Sequence, residues 1–544
     1  MGPVEPSRRA VVSTGLVAAA LGALPGFGSA SKGPPSIRIA DDAPGRPISR
    51  LIYGSNEIGA MDRGPPSATF DRIAQVTARR LGGNLMTSYN WVNNAANAGK
   101  DFENANGAFL LEALRLPKTE WTRPAAVIEA MHAASLELGA LSLVTLPLAG
   151  FVAADLNGPV APGETAPSAR FVPVRWASDA RARDPIDPRV ADMPQLLSRL
   201  IERYGGAGEA AGIHAFALDN EPGLWVENHP RICPVKTTIR SFIARSIAAA
   251  RVIKSIDPAA KIFGPASWGA TGMVNFQNAP DWSDYRRFGS FLAAYLDAFR
   301  EASERDGRRL LDVLDVHWYA TSRRGELYRT GNPDLAEVLL DAPRSLDEPG
   351  FREDSWVSRA LGGDGDGVTL PILPSLERLA ARWFPGTALA ITEFNYGGAG
   401  QLASGLALAD VLGRFGAAGV YFASHWGSLK GWLGEAYRLY REPDATGGAF
   451  GDLSLNAKIG GDAAISAHAA RGVSGLQLVV INKGTQAAAV DVVFATGQTP
   501  RLAAALGFDA AHPTTLALPE EAKPVDGALR LELPPRAARR YAFV

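Results

Sequence analysis

From Leu51 onward the chain alternates short apolar, β-prone runs with longer stretches whose apolar residues recur at helical spacing. Eight short runs stand out, at 51–56, 78–84, 141–148, 213–221, 261–267, 313–319, 388–396 and 419–426. Between them, the stretches 194–204, 238–254, 291–305 and 376–383 carry their apolar residues on one helical face. Strand alternating with helix predicts parallel strands joined by crossover helices, and eight strands close a (β/α)8 TIM barrel. From about Tyr437 the pattern changes to short alternating strands, 462–468, 476–482, 487–494, 528–533 and 540–544, separated by Gly, Pro and Asn turns. With the alternating segment 36–40 added, these predict an all-β sandwich packed on the barrel. The fold class expected is therefore α/β, a TIM barrel with an additional β-sandwich. There is no internal repeat and no Ser/Thr/Pro-rich linker to a further module.

The N-terminus reads as an export signal: Ser7-Arg8-Arg9, an uncharged run over 10–24, then small residues at Gly28 and Ala30. The paired arginines suggest the twin-arginine route, although such pairs also precede other signals. The domain plan is a signal peptide over 1–30, a tail and sandwich strand over 31–50, a catalytic barrel over 51–432 and the sandwich over 433–544. The expected location is outside the cytoplasm, secreted or periplasmic. No other run is long and apolar enough to span a bilayer, so no membrane association is expected after signal removal.

A formal net charge of -1 over 544 residues, with both signs interspersed, gives no basic face for nucleic acid and suits a neutral polymer better. The single cysteine, Cys233, excludes an internal disulfide and reads as a loop-filling residue between Pro230 and Pro234. A monomer is expected.

The barrel runs end in polar and aromatic groups: Asn56-Glu57, Asn84, Asn220-Glu221, Ser267-Trp268, His317-Trp318-Tyr319, Glu393 through Tyr396, and His425-Trp426. Polar loops alone account for Asn56, but not for carboxylates, imidazoles and indoles gathered at strand ends, where barrel enzymes carry their chemistry. Glycosidic cleavage needs a proton donor and a second carboxylate converging from different strands. Glu221 and Glu393, ending the fourth and seventh runs, meet that need, whereas an Asn-Glu-Pro triplet taken alone could simply open a helix. The chemistry requires Glu221 to hold a proton near neutrality, with burial and Glu393 as the agents. It requires Glu393 to stay ionised, with Arg80 and Tyr319 as donors, while His317 could support either. Asn220 is placed to bond a sugar 2-hydroxyl. Trp225, Trp268 and Trp426 offer flat apolar faces for sugar rings, or else belong to the core. No cofactor or metal is required, and no His/Cys/carboxylate cluster has zinc-like spacing. The run 362–367 resembles a calcium loop only superficially, lacking the terminal glutamate; a structural calcium ion is left open.

These segments resemble glycoside hydrolase family 44, mostly retaining endo-β-1,4-glucanases that often accept xyloglucan. The likeness is carried by ARRLGGN, MTSYNW and NNAANAG within 78–99, SLVTLPLAGFVAADLNGPV at 142–160, LDNEPGLW at 218–225 with HPRI at 229–232, IFGPASWG at 262–269, LLDVLDVHWY at 310–319, ITEFNYGG at 391–398 and GVYFASHW at 419–426. The resemblance implies that Glu221 is acid/base and Glu393 nucleophile, with Arg80, Asn220, His317, Tyr319 and Trp426 lining the cleavage subsite. Together with the strand-end reading, the substrate-binding candidates are Arg80, Asn84, Asn220, Trp225, Trp268, His317, Tyr319, Tyr396 and Trp426. The resemblance also implies a sandwich built from both chain ends, with DLSLNAKI and LVVINK among its strands. Leu81, Leu85, Val92 and Cys233 depart from the family pattern, where tryptophan, arginine, glutamate and histidine are expected, and they bear on substrate preference. The leading reading is hydrolysis of internal β-1,4 bonds in cellulose-type glucans or xyloglucan. The alternatives are the same machinery acting on mannan or xylan, or a non-hydrolytic carbohydrate-binding protein.

Overall fold

All eight apolar runs become strands of one closed parallel barrel, in chain order, in a computed structural model that describes residues 34–56, 67–361, 367–461, 463–519 and 522–544. The expected leader, Glu57, most of the run 362–367 and Asp462 lie outside the described residues. The strands are Gly54–Asn56, Ala78–Leu81, Leu141–Leu146, Ala215–Leu218, Lys261–Ser267, Val313–Tyr319, Ala388–Asn395 and Phe422–His425. Ser424 pairs with Gly54 and closes the ring. The long helices include Ala126–Glu137, Met193–Tyr204, Ile239–Ile256, Phe291–Asp306, Ile372–Trp383 and Leu402–Ala417. Their starts follow from capping: Asp192, Thr238 and Ser290 each accept a backbone N–H from the first turn.

The barrel interior is layered. Leu51, Ala78, Leu143, Ala215, Ala217, Phe263, Val313, Ala390 and Phe422 form an apolar floor. Because side chains alternate along a strand, the residues two further on share that inward face one layer nearer the C-terminal rim. Five of these, Arg80, Thr145, Asp315, Thr392 and Ser424, are polar and buried. The barrel therefore passes from apolar to polar beneath its rim.

The sandwich has a five-stranded and a seven-stranded sheet. Ser36–Ile39 lies inside the first, antiparallel to Ala457–Gly460 and parallel to Ala488–Phe494, as expected for a strand supplied by the other end of the chain. Alternation in Gly475–Asn482 serves two cores: Leu478 and Val480 face the sandwich interior, while Val479 and Ile481 join the barrel's core. The strand expected at 462–468 runs instead over Ile465–Gly472. Leu502–Phe508 was not predicted, because its Ala- and Leu-rich sequence lacks alternation; pairing with Ala537–Phe543 makes it a strand. Helix Trp432–Arg441 straddles the boundary expected at 432/433, since it packs on Leu402–Ala417 and closes the barrel's outer ring. Arg540 of the sandwich donates to the carbonyls of Leu439, Tyr440 and Glu442, capping that helix's C-terminus. A cavity of about 770 Å³ opens where barrel and sandwich meet, lined by Arg46, Arg414, His468 and Lys483, and shares no residue with the carboxylate pair at the rim. No described helix is long and apolar enough to cross a membrane.

Candidate active site

Glu221 follows the fourth strand with φ 43 and ψ 52, and Asp219 has φ 68, so two non-glycine residues occupy the left-handed region around Asn220. Such strain, about 1–3 kcal/mol per residue, persists only where surroundings over-determine it. Asp219 does so: its buried carboxylate accepts from the Thr87 hydroxyl (2.6 Å) and the N–H groups of Asn220 (2.7 Å), Ala149 (3.2 Å) and Leu148. The ends of strands two, three and four are thereby tied together. The Glu221 N–H donates to Ala266 O at 3.0 Å.

Glu393 is aimed by a β-bulge. Val316 pairs with Ile391 but His317 with Glu393, so Thr392 is an extra residue and both Thr392 and Glu393 turn inward. Arg80 Nη1 donates to Glu393 Oε1 at 2.8 Å and the Tyr319 hydroxyl to Oε2 at 2.9 Å. Arg80 also donates to Asn56 Oδ1 (3.0 Å) and Asn220 Oδ1 (2.7 Å). His317 Nδ1 stands between the two glutamates, 2.9 Å from Glu221 Oε1 and 3.4 Å from Glu393 Oε2.

Burial pushes the His317 pKa down to about 3, outweighing the opposing charge of Glu393, so the imidazole is neutral. Burial and then the Glu393 charge hold the Tyr319 hydroxyl well above the ordinary phenol range, which keeps it a donor. Glu221, His317 and Glu393 each offer an atom such that all three lie within 4.8 Å of one another, an arrangement that could also hold a cation. Its members come from three strand ends, so no local metal-ligand spacing marks it, although all three are legible together at those strand ends. The Arg80 charge already bound to Glu393 opposes a cation there, and suits instead two carboxyl groups facing one bond.

The profile of glycoside hydrolase family 44 matches residues 80–322. Endoglucanase A of Paenibacillus lautus is 39% identical over 450 residues, and a beta-mannanase/endoglucanase A of Caldicellulosiruptor saccharolyticus 37% over 442. These alignments cover 80% and 77% of this chain, but 62% and 32% of those proteins, so the chain spans less than two thirds of either curated relative. A family 44 xyloglucanase of Paenibacillus polymyxa, solved with xyloglucan, superposes with a TM-score of 0.86 at 35% identity, covering 94% of this chain and 99% of that one. The chain belongs to glycoside hydrolase family 44. A family 44 endoglucanase of Clostridium thermocellum is similar at 34% identity and TM-score 0.85, over 94% of this chain and 99% of that one.

In this member of family 44, Arg80, Asn220, His317 and Tyr319 contact the glutamates or each other, as described. Trp426 is half-buried at the eighth strand's end, over Gly83, where an added Cβ would lie 2.6 Å from its ring. Asn84 is half-buried beside Asn220 and Asn228 and donates to Asp101. Trp268 is half-buried, with its Nε1 fixed on Gln277.

Two expected substrate contacts are corrected. Trp225 is 1% exposed and packs edge-on against Phe242, because the short helix Trp225–Asn228 turns its ring into the core. Tyr396 is wholly buried, because the bulge switches parity: Phe394 and Tyr396 face the helices while Glu393 and Asn395 face inward. Of the four departures, Leu81, Leu85 and Cys233 are buried in the core and Val92 is half-buried against it. Burial pushes the Cys233 thiol up to about 12, consistent with a filler. Asn56, expected to be ordinary loop, is buried and donates to the carbonyls of Thr392 and Ser424 while accepting from Arg80. Asp219 was not singled out from sequence; only its place in Leu-Asp-Asn-Glu hinted at it.

Proposed function

We propose that this enzyme hydrolyses internal β-1,4-glucosidic bonds of cellulose-type glucans or xyloglucan with retention of configuration, Glu393 acting as nucleophile and Glu221 as acid/base. The observation that carries the reading is the close approach of the two carboxyl groups, one oxygen of each lying within 4.8 Å of one oxygen of the other. Retaining glycosidases hold their carboxyl groups about 5 Å apart, whereas inverting ones need about 6.5–9.5 Å to admit a water. Glu393 attacks the anomeric carbon as Glu221 protonates the leaving oxygen; Glu221 then takes a proton from the water that releases the sugar. Arg80 and Tyr319 fix the nucleophile, and the Arg80 and Gly83 N–H groups fix Asn220 through its Oδ1; one N–H of its NH2 group reaches Asn84 Oδ1 at 3.5 Å and the other donates to the sugar 2-hydroxyl. Neutral His317 orients the Glu221 carboxyl group through Nδ1, which accepts its O–H or donates to its carboxylate according to the tautomer the ring holds. The mechanism uses no cofactor.

The substrate class rests on the relatives, named as xyloglucanase and endoglucanase; the mannanase in one name favours glucomannan as a second substrate. We further propose an exported monomer. Reducing-end release from carboxymethyl cellulose, xyloglucan, glucomannan and xylan is measured for wild type and Glu393→Gln, with proton NMR of the first anomer formed. Release of the β-anomer by wild type alone is expected. The α-anomer first, or full activity in Glu393→Gln, would contradict the mechanism.

A further inference from the structure

The polar layer directly beneath the catalytic pair holds a carboxyl group that hydrolysis does not use. Asp315 lies on the sixth strand two residues before His317, wholly buried in the barrel. Its two oxygens lie 2.8 and 2.9 Å from the Thr392 hydroxyl, which donates to them. Thr392 is the extra residue of the bulge that turns Glu393 inward. Its carbonyl is held from the opposite side, by Asn56 Nδ2 at 2.9 Å and the Ser424 hydroxyl at 2.6 Å. The bulged residue is thus tied by its side chain to strand six and by its carbonyl to strands one and eight.

Without the bulge, strict alternation from Ala388 and Ala390 would face Thr392 inward and Glu393 toward the helices. The direction of Glu393 therefore depends on what holds Thr392. The charged and titratable groups around Asp315 are Arg80 from the second strand, Glu393 from the seventh and Tyr295 from the helix layer. Burial pushes its carboxyl up to about 7, against the Arg80 charge and the Thr392 bonds. A buried acid is an unfavourable filler for a barrel core, where apolar residues of similar volume pack without that cost.

We propose that Asp315 is a positioning residue for the hydrolytic reaction, acting through the Thr392 hydroxyl to hold the bulge that aims Glu393 at the sugar. The inference rests on Glu393 as nucleophile, and its test has one arm that needs no substrate. In the kinetic arm, Thr392→Val lowers kcat by about 10²-fold, the loss expected for a misplacement of about 1 Å. KM stays within about threefold, and Thr392→Ser, which restores the hydroxyl, recovers most of kcat. Asp315→Asn, which keeps an acceptor oxygen but not the charge, loses about tenfold in kcat. In the structural arm, a crystal structure of Thr392→Val shows the Glu393 carboxylate away from Arg80 or Tyr319, which it meets at 2.8 and 2.9 Å in the wild type. A Glu393 that keeps both partners, or variants with wild-type kcat, overturns the proposal. Wild type inert on every polysaccharide would remove the proposed function, and the structural arm would then decide alone. If Thr392→Val does not fold, Asp315→Asn carries both arms with the same criteria.

Discussion

Gly82→Ala adds one methyl group, and the structure says where its effect falls. A Cβ at position 82 would lie 2.2 Å from Arg80 Cζ, 2.4 Å from Nη1 and 2.6 Å from Nε, and these are its three nearest neighbours. The Gly82 φ is outside the left-handed region, so alanine adopts the backbone without strain and the clash is with one side chain. To restore ordinary contact the guanidinium must retreat by about 1 Å. It cannot retreat freely, because Nη1 is 2.8 Å from Glu393 and Nη2 2.7 Å from Asn220. A shift of about 1 Å at a reacting group costs about 10²-fold in kcat. Complete rupture of the buried ion pair would destabilise by about 3–5 kcal/mol. The assay is kcat and KM on the best glucan, with a thermal melt, for Gly82→Ala, Arg80→Ala and the double variant. Gly163→Ala, whose Cβ would have nothing within 4 Å, is the control. If the effect passes through Arg80, the double variant is no slower than Arg80→Ala. Wild-type kcat in Gly82→Ala, or additive losses in the double variant, would refute the reasoning.

Two further predictions concern buried charge. Glu353 is 7% exposed, with Oε2 unpartnered, and burial pushes its carboxyl up to about 7. A folded-state pKa above the unfolded value means the neutral form stabilises fully below about 4.5, and that stability is lost as pH rises through about 7, by up to about 3 kcal/mol. Glu353→Gln should therefore melt higher than wild type at pH 8 and level with it at pH 4; an equal shift at both contradicts the assignment. Asp410, on helix Leu402–Ala417 and wholly buried, meets Arg414 at 3.1 Å and, from the sandwich, His468 at 2.9 Å and Lys483 at 3.5 Å. Asp410→Asn leaves Arg414 and Lys483 short of a counter-charge and should destabilise by about 3–5 kcal/mol in urea unfolding; a loss under about 1 kcal/mol would show the knot to be dispensable.

The barrel was legible because parallel strands buried on both faces read as continuous apolar runs. Lys261–Ser267 and Val313–Tyr319 match their expected bounds. The runs expected to reach 84, 148 and 221 end at Leu81, Leu146 and Leu218, because the polar residues beyond a strand still read as part of it. The two glutamates were legible as a pair of carboxylates on separate strand ends. Asn56, Asp219, Asp315 and Thr392 were not, since an asparagine at a strand end or an aspartate between a leucine and a valine becomes informative only once neighbouring strands fix its height in the barrel.

The places where pattern reading failed lie beside the irregularities that make the site. In a regular barrel, odd and even strands contribute inward residues to alternate layers. A carboxylate from the fourth strand and one from the seventh would then stand at different heights, facing different bonds. Here the seventh strand gains an extra residue at Thr392, and the fourth ends in two left-handed residues around Asn220, so the carboxylates meet within 4.8 Å. The fifth strand adds its own shift between Pro265 and Ser267, where Ala266 at φ 50 receives the Glu221 N–H. The bulge at Thr392 is what sent Tyr396, three residues past Glu393, into the core instead of the cleft, and the helix that follows Glu221 did the same for Trp225. Departures from local regularity concentrated at a functional site are the expected signature of structure held there for chemistry. The residues that hold them in place, Asp219 for the fourth strand and the Asp315–Thr392–Asn56 tie for the seventh, are then as much a part of the enzyme's design as the glutamates they aim.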